Sequence, residues 1–204
     1  YMANNNISDL HPDVFASFCA NLRALSVSGN RIGQFPRAAL RHCGELSHLN
    51  IGYNEITNVT IDDFTVWAGN LDTLILRNNL LKELPANVFR GCPKLRELSL
   101  SFNAFEHLDA EAFREIGTSL ESLEISFGLK SRIFPEPAIK PLQKLLWLSL
   151  DNNDIEQISE TSLYNLGELQ YLNLESNRLS TIPRNLLHKN VHKKLLDVRL
   201  SYNY

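Results

Sequence analysis

A repeated motif constrains this chain more than any other feature of its sequence. Leu169–Asn177 reads LQYLNLESN, and near-copies occur at Leu71–Asn79, Leu95–Asn103 and Leu145–Asn153. Self-similarity at a fixed period is the signature of a solenoid, in which each repeat buries its apolar face only against its neighbours. The L-x-L step alternates with period two, which predicts a short strand with its leucines pointing inward and the intervening side chains outward.

The repeat divides the chain into one solenoid domain, and its period is about 24 to 25 residues, within the roughly 20 to 29 expected of such units. A partial repeat covers 1–21, and a second partial repeat covers 195–204. The full repeats cover 22–45, 46–70, 71–94, 95–119, 120–144, 145–168 and 169–194. Because terminal repeats of a solenoid need polar caps, we expect residues 1–204 to be a fragment of a longer array.

The pattern predicts an α/β solenoid with a concave parallel β-sheet and an irregular or short-helical convex side. The x positions of the strands are polar, so the sheet's outer face should be open to solvent. Apolar anchors should cover the other side, and they are Leu40, Phe64, Phe89, Phe113, Ile139, Leu163 and Leu187. The recurrent asparagines should satisfy buried turn backbone, since an amide carries both donors and an acceptor. Gly128 interrupts that series, and we expect the fifth repeat to bend or loosen the solenoid.

The full motif, L-x-x-L-x-L-x-x-N-x-L-x-x-L-P-x-x-x-F, resembles the typical class of leucine-rich repeats. Segments of the form F-x-x-L/C-x-x-L-x-x-L-x-L-S-x-N, without cap cysteines, are most similar to the chaoptin family. Toll-like receptors and other extracellular proteins use the same motif. The resemblance implies a horseshoe fold and an extracellular or cell-surface adhesion protein that is anchored to the plasma membrane outside this fragment.

Composition excludes several classes of function. The net charge is −3, which gives no basic footprint for nucleic acid. No apolar run approaches the roughly 20 residues of a membrane span, and the first residues do not form a signal peptide. Motifs for metal binding, phosphate binding and nucleophilic catalysis are absent, so we expect no metal, no cofactor and no enzymatic activity. Carboxylates on the open face, such as Glu97, should have ordinary pKa values because they are hydrated.

Ligand contacts should come from the side chains that the motif leaves unspecified on the concave face. Exposed aromatic residues beside charges are the type that dominates interface energetics. The predicted ligand-binding residues are Trp147, Tyr171, Asp151, Glu175, Glu124, Tyr53, Phe102 and Phe127. Two alternatives stay open at this point. Phe102 and Phe127 could turn inward to pack beside the asparagine turn, and Trp147 and Tyr171 could be a surface pair without function.

Other residues invite modification or metal chemistry. Asn6 and Asn58 each begin an N-x-S/T sequon and are predicted glycosylation sites. Three cysteines are too few and too scattered to predict a disulfide framework. Cys43 and Cys92 are expected to be small buried hydrophobes, whereas Cys19 lies one slot later and its state stays open.

The segment HKNVHKK near the C-terminus carries His188 and His192 at a spacing of four residues, which a helix could use to hold a metal. No third ligand is apparent, so we expect a solvated basic loop.

Two functions from different classes follow from these observations. The first is a cell-surface or secreted adhesion or receptor protein that binds a protein partner, homophilic or heterophilic, through its concave face. The alternative is an intracellular leucine-rich repeat scaffold or regulatory subunit, which the apparently unpaired cysteines favour.

Overall fold

The computed structural model describes all residues from 1 to 204, and its framework is a stack of short parallel strands. The ten strands are β1 Ala24–Ser26, β2 His48–Asn50, β3 Thr73–Ile75, β4 Glu83–Leu84, β5 Glu97–Ser99, β6 His107–Leu108, β7 Ser122–Glu124, β8 Trp147–Ser149, β9 Tyr171–Asn173 and β10 Asp197–Arg199. Eight of them form one parallel sheet in the order β1-β2-β3-β5-β7-β8-β9-β10, and β4 pairs with β6 in a second sheet. The predicted solenoid with a concave parallel sheet is therefore confirmed.

The convex side consists of turns and very short helices, as the sequence predicts. Two four-residue helices occur, α1 at Arg37–Leu40 and α2 at Glu136–Ile139. Single 3-10 turns occupy Cys19–Asn21, Ile61–Asp63, Ala68–Asn70 and Arg114–Ile116. The two-stranded sheet of β4 and β6 adds to this side an element that the sequence does not predict.

The core is one continuous cluster of 52 buried residues. Strand leucines stand in register, so that Leu148 of β8 lies between Leu123 and Leu172. On the opposite side the rings of Phe64, Phe89 and Phe113 follow one another, with centroids 5.6 and 6.1 Å apart. The predicted anchors are buried with one exception, because Leu186 takes the fully buried position in the seventh repeat and Leu187 is only partly buried.

The buried asparagines form a ladder of hydrogen bonds between successive repeats. Asn54 is typical: its Nδ2 donates to the carbonyls of Ile51 and Val27, and its Oδ1 accepts from the N–H of Ile32. Asn79, Asn103, Asn177 and Asn203 repeat this pattern. The amide thus satisfies buried backbone groups in two repeats at once, which confirms the role expected from its chemistry.

The fifth repeat, in which Gly128 replaces the asparagine, stays in register with its neighbours. β7 pairs with β5 and β8 without interruption. The carbonyl of Gly128 accepts the N–H of Phe105 at 2.7 Å, where the other repeats use a side-chain oxygen. Asn153 accepts the N–H groups of both Gly128 and Leu129. The expected loosening is therefore wrong for the sheet, because backbone groups and the neighbouring asparagine replace the missing amide.

Cys19 and Cys43 form a disulfide, with their Cα atoms 4.5 Å apart and both residues fully buried. Cys43 is buried as predicted but is bonded to Cys19, so the prediction of a simple buried hydrophobe is wrong, and the state of Cys19, left open by the sequence, is a buried half-cystine. The 3-10 turn at Cys19–Asn21 places the first cysteine directly beside the second across adjacent repeats. Cys92 is a free buried cysteine, as predicted, and burial raises the pKa of its thiol to about 12.

The segment HKNVHKK is not uniformly solvated. His192 is only 7% exposed. Its Nδ1 accepts the backbone N–H of His188 and its Nε2 lies 2.9 Å from the carbonyl oxygen of Leu163. Because both ring nitrogens are used, His192 fastens this loop to the previous repeat, which corrects the prediction of a solvated loop. Lys189, Lys193 and Lys194 are exposed.

Candidate functional site

The concave sheet presents a pair of partly exposed aromatic side chains. Trp147 and Tyr171 occupy equivalent positions at the starts of β8 and β9 and are direct neighbours in register. Their ring centroids lie 4.8 Å apart with an interplanar angle of 37°, and Trp147 is 36% exposed. Such a pair offers a rigid apolar surface with two polar tips, the indole N–H and the phenol O–H.

Asp151 lies on the same face, two residues after the end of β8. Its carboxylate is held rigidly. Its carboxylate accepts hydrogen bonds from Ser126 Oγ, Ser149 Oγ and Asn152 Nδ2, each at 2.6 Å. Burial alone would raise the pKa of Asp151, but these donors outweigh it and lower the pKa below its ordinary value. Asp151 is thus a preorganised negative charge, and its pKa corrects the expectation of ordinary values on this face.

The two glutamates of the predicted site differ in their environment. Glu124, at the end of β7, accepts a hydrogen bond from Ser99 Oγ at 3.2 Å. Glu175 lies next to Asp151 in the neighbouring repeat and is half-buried. Together with Asp151 they give the sheet between β7 and β9 a negative character beside the Trp147–Tyr171 pair.

A second aromatic group lies along the loop edge of the same face. Phe102 and Phe127 stack with centroids 4.7 Å apart and an interplanar angle of 12°. Both are exposed, at 39% and 50%, so the inward-facing alternative is wrong. Tyr53 is also exposed, and the Arg77 guanidinium carbon lies 5.6 Å from its ring centroid and 5.5 Å from that of Phe102.

All residues of this loop-edge row have left-handed backbone. Positive φ angles occur at Asn4, Gly29, Tyr53, Asn78, Phe102, Phe127, Asn152, Ser176 and Tyr202. Glycine and asparagine adopt this region readily, but a bulky side chain costs roughly 1–2 kcal/mol. The aromatic residues in this row are therefore strained, and backbone strain of this kind clusters at functional sites.

Sequence reasoning missed Arg77, which lies between the rings of Tyr53 and Phe102. Arg77 lines a concave cleft of about 200 Å³ whose polar residues are Thr73, Arg77, Glu97, Ser99, Ser122 and Glu124. Its place in the repeat could have indicated a role in binding. Arg77 stands directly before the left-handed residue of its repeat, which is the same position that Asp151 and Glu175 occupy in theirs.

The structure shows neither a metal centre nor a membrane span. No group of three or more His, Cys, Asp or Glu side chains is placed to hold a metal ion. No helix is long and apolar enough to cross a bilayer. Asn6 and Asn58, the predicted glycosylation positions, are both exposed.

These features define a solenoid repeat protein whose concave sheet presents aromatic and charged side chains to solvent. The chain belongs to the leucine-rich repeat family, whose model matches residues 1–56, 69–127 and 118–179. It is 32% identical over 90 residues to chaoptin of Tribolium castaneum, a match that covers 43% of this chain and 12% of chaoptin. The resemblance to leucine-rich repeats and to chaoptin is thereby confirmed, and the family consists of protein-recognition modules.

Solved structures of repeat proteins superpose on nearly the whole chain. The leucine-rich repeat protein LIC12759 of Leptospira interrogans has a TM-score of 0.80 and 26% identity, covering 98% of this chain and 48% of its own. TLR13, solved as a complex with ssRNA13, has a TM-score of 0.86 and 27% identity over 98% of this chain and 28% of its own. An internalin, inlF of Listeria monocytogenes, has a TM-score of 0.70 at 20% identity over 100% of this chain and 60% of its own, which shows the fold alone.

The chain spans less than half the length of chaoptin, LIC12759 and TLR13.

Proposed function

We propose that the protein is a non-catalytic recognition protein of the cell surface, similar to chaoptin in function, which binds a protein partner through its concave face. The observation that carries this proposal is the partly exposed Trp147–Tyr171 pair beside the carboxylate of Asp151. Rigid aromatic residues next to fixed charges are what dominate the free energy of protein interfaces. Glu175, Glu124 and the loop-edge aromatics Tyr53, Phe102 and Phe127 complete the proposed binding surface.

The disulfide supports an extracellular location. Disulfides form and persist in oxidising compartments and are rare in the cytosol. The bond between Cys19 and Cys43 is fully buried and joins adjacent repeats, so it has a structural position rather than an accessible catalytic one. It removes the main support for the intracellular alternative, which rests on unpaired cysteines. Glycosylation at Asn6 and Asn58 belongs to the same proposal, as does attachment to the plasma membrane by segments outside residues 1–204.

A protein partner suits the charges of this face better than nucleic acid does. Phosphate binding relies on clustered Lys and Arg side chains, whereas the surface around Trp147 and Tyr171 carries Asp151, Glu175 and Glu124. The TLR13 complex contains RNA, which makes RNA binding a direct alternative outcome of the experiment. Salt-dependent binding of single-stranded RNA would contradict the proposal.

The test is adhesion of suspension cells that display the full protein. In the variant Trp147→Ala/Tyr171→Ala we expect adhesion to be lost, because a central aromatic contributes about 2 kcal/mol or more, or roughly 30-fold in affinity for each residue. The matched control is Tyr164→Ala, which removes a 58% exposed aromatic ring outside the sheet. Full adhesion by the double variant at equal surface expression would refute the assignment of this patch.

A further inference from the structure

Two buried side-chain polar atoms in the protein have no hydrogen-bond partner, and they belong to adjacent residues. They are Nε of Arg77 and Oδ1 of Asn78. Buried polar atoms are almost always paired, so each exception needs a physical explanation. One atom is a donor and the other an acceptor, and the guanidinium of Arg77 lies between the rings of Tyr53 and Phe102.

The guanidinium of Arg77 is held in place without any carboxylate. The rings of Tyr53 and Phe102 lie within 5.6 Å of its central carbon, which is cation–π distance. It forms no ion pair, although Glu97 and Glu124 line the same cleft. An arginine oriented by aromatic rings has lost much of its side-chain freedom before it meets a ligand, which favours tight binding of a carboxylate.

The aromatic residues around Arg77 are present although their left-handed backbone conformation disfavours bulky side chains. Tyr53, Phe102 and Phe127 have φ angles of 53°, 57° and 51°, where Asn78 and Asn152 fill equivalent positions without that strain. Fold stability alone would favour asparagine or glycine there. Strained and exposed aromatic side chains on one edge of a sheet therefore indicate a binding requirement.

The charges in the cleft specify the ligand further. Arg77 offers donors to an acidic side chain, and Glu97 and Glu124 lie in the same cleft of about 200 Å³, a volume suited to one or two side chains. An extended peptide can supply both charges while its main chain runs along the sheet.

We infer that Tyr53, Arg77, Asn78, Phe102 and Phe127 form a second recognition site, which binds an extended segment of a protein partner carrying an acidic residue next to a basic one. The inference rests on the proposed function in using the same concave face. It assigns a distinct ligand to the loop-edge part of that surface, which does not include the Trp147–Tyr171 pair, and it has its own test.

The experiment selects from a displayed library of random ten-residue peptides on the full chain. We expect enrichment of sequences with Asp or Glu beside Lys or Arg. Arg77→Met keeps the aliphatic stem and should weaken binding of the selected peptides at least tenfold, with loss of the acidic preference. Arg31→Met is the control, because Arg31 is exposed and has no side-chain partner. Glu124→Gln should weaken the basic preference alone.

A second variant separates binding from folding. Phe127→Asn relieves left-handed strain, so we expect an unchanged or raised melting temperature together with loss of peptide binding. A lowered melting temperature with unchanged binding would show that Phe127 has a structural role and would overturn the inference. Peptide selection that is indifferent to Arg77→Met, absence of enrichment, or binding of an oligouridylate that depends on Phe127 would also overturn it. If any of these results is obtained while cell adhesion still depends on Trp147 and Tyr171, this inference fails and the proposed function stands.

Discussion

The asparagine ladder allows a quantitative comparison between two chemically identical substitutions. Asn79→Ala removes an amide whose carbonyl partners, Ile51 and Leu76, each keep a second side-chain donor from Asn54 or Asn103. The N–H of Ile56 alone loses its acceptor. Leaving one buried group unsatisfied costs about 1–3 kcal/mol, so we expect Asn79→Ala to lower the free energy of unfolding by that amount in addition to its cavity.

Asn153→Ala should cost considerably more, because the glycine at position 128 concentrates the hydrogen bonds on this one residue. The N–H groups of Gly128 and Leu129 both lose their acceptor. The carbonyl of Ile125 also loses its side-chain donor, since no amide exists in the fifth repeat to share it. Three unsatisfied groups give roughly 3–6 kcal/mol after partial relaxation. The cavity contributions should nearly cancel between the two variants, because Asn79 and Asn153 are 5% and 7% exposed.

Urea unfolding followed by circular dichroism measures this difference. We expect Asn153→Ala to shift the midpoint downward at least twice as far as Asn79→Ala, with the slope of the free energy against urea unchanged. Asn190→Ala is the control, since it removes an exposed amide outside the ladder and should change stability by less than about 0.5 kcal/mol. Equal shifts for the two ladder variants would refute the reasoning that shared acceptors determine the cost.

Three further predictions follow from single features. Reduction of the Cys19–Cys43 bond, which closes a loop of 24 residues, should lower the free energy of unfolding by about 3–4 kcal/mol. Hydrogen exchange should show the loss of protection first in residues 1–21. Unchanged protection of these residues after reduction would contradict this prediction. The lowered pKa of Asp151 means that its contribution to stability is present above the unfolded pKa and is lost as the pH falls through the folded value. An NMR titration of its carboxyl carbon should give a midpoint below the ordinary aspartate value, and an ordinary midpoint would disprove the hydrogen-bond account. Expression through a secretory pathway should add glycans at Asn6 and Asn58, each detected as a mass change lost in the corresponding Asn→Gln variant; an unmodified secreted chain would rule out both sites.

Much of the fold follows from the spacing of a few residues. Leu148 and Leu172 predict the strands β8 and β9, because side chains alternate between the two faces of a strand and only one alternation points these leucines into the core. The asparagine role follows from its donor and acceptor count. The disulfide could also have been found, because Cys19 and Cys43 are 24 residues apart, which is one repeat period. Cys19 precedes Leu22 by three residues and Cys43 precedes Leu46 by three, so both occupy the same slot, and placing Cys19 one slot later was a miscount.

The candidate site was less accessible to sequence reasoning. Trp147 and Tyr171 were predictable as neighbours because parallel register carries each strand position onto the next. The left-handed conformation of Phe102 and Phe127 was not predictable. Glycine and asparagine indicate left-handed backbone in a sequence, whereas bulky aromatic residues disfavour it. Arg77 was missed because its importance comes from the rings around it and from an unpaired Nε, which depend on side-chain placement. The burial of His192 was not predicted, because its contact with the carbonyl of Leu163 in the previous repeat does not show in the sequence.

Site-specific photo-crosslinking tests the central claim most directly, namely that the concave face recognises a protein partner at the cell surface. A photoreactive amino acid replaces Asn173, which lies on β9 between Tyr171 and Glu175, in the full protein displayed on adherent cells. The same residue placed at position 164, outside the sheet, is the matched comparison. We predict a discrete protein adduct from position 173, lost in the Trp147→Ala/Tyr171→Ala background, and none from position 164. Adducts that form only from position 164, or that contain RNA, would contradict the account.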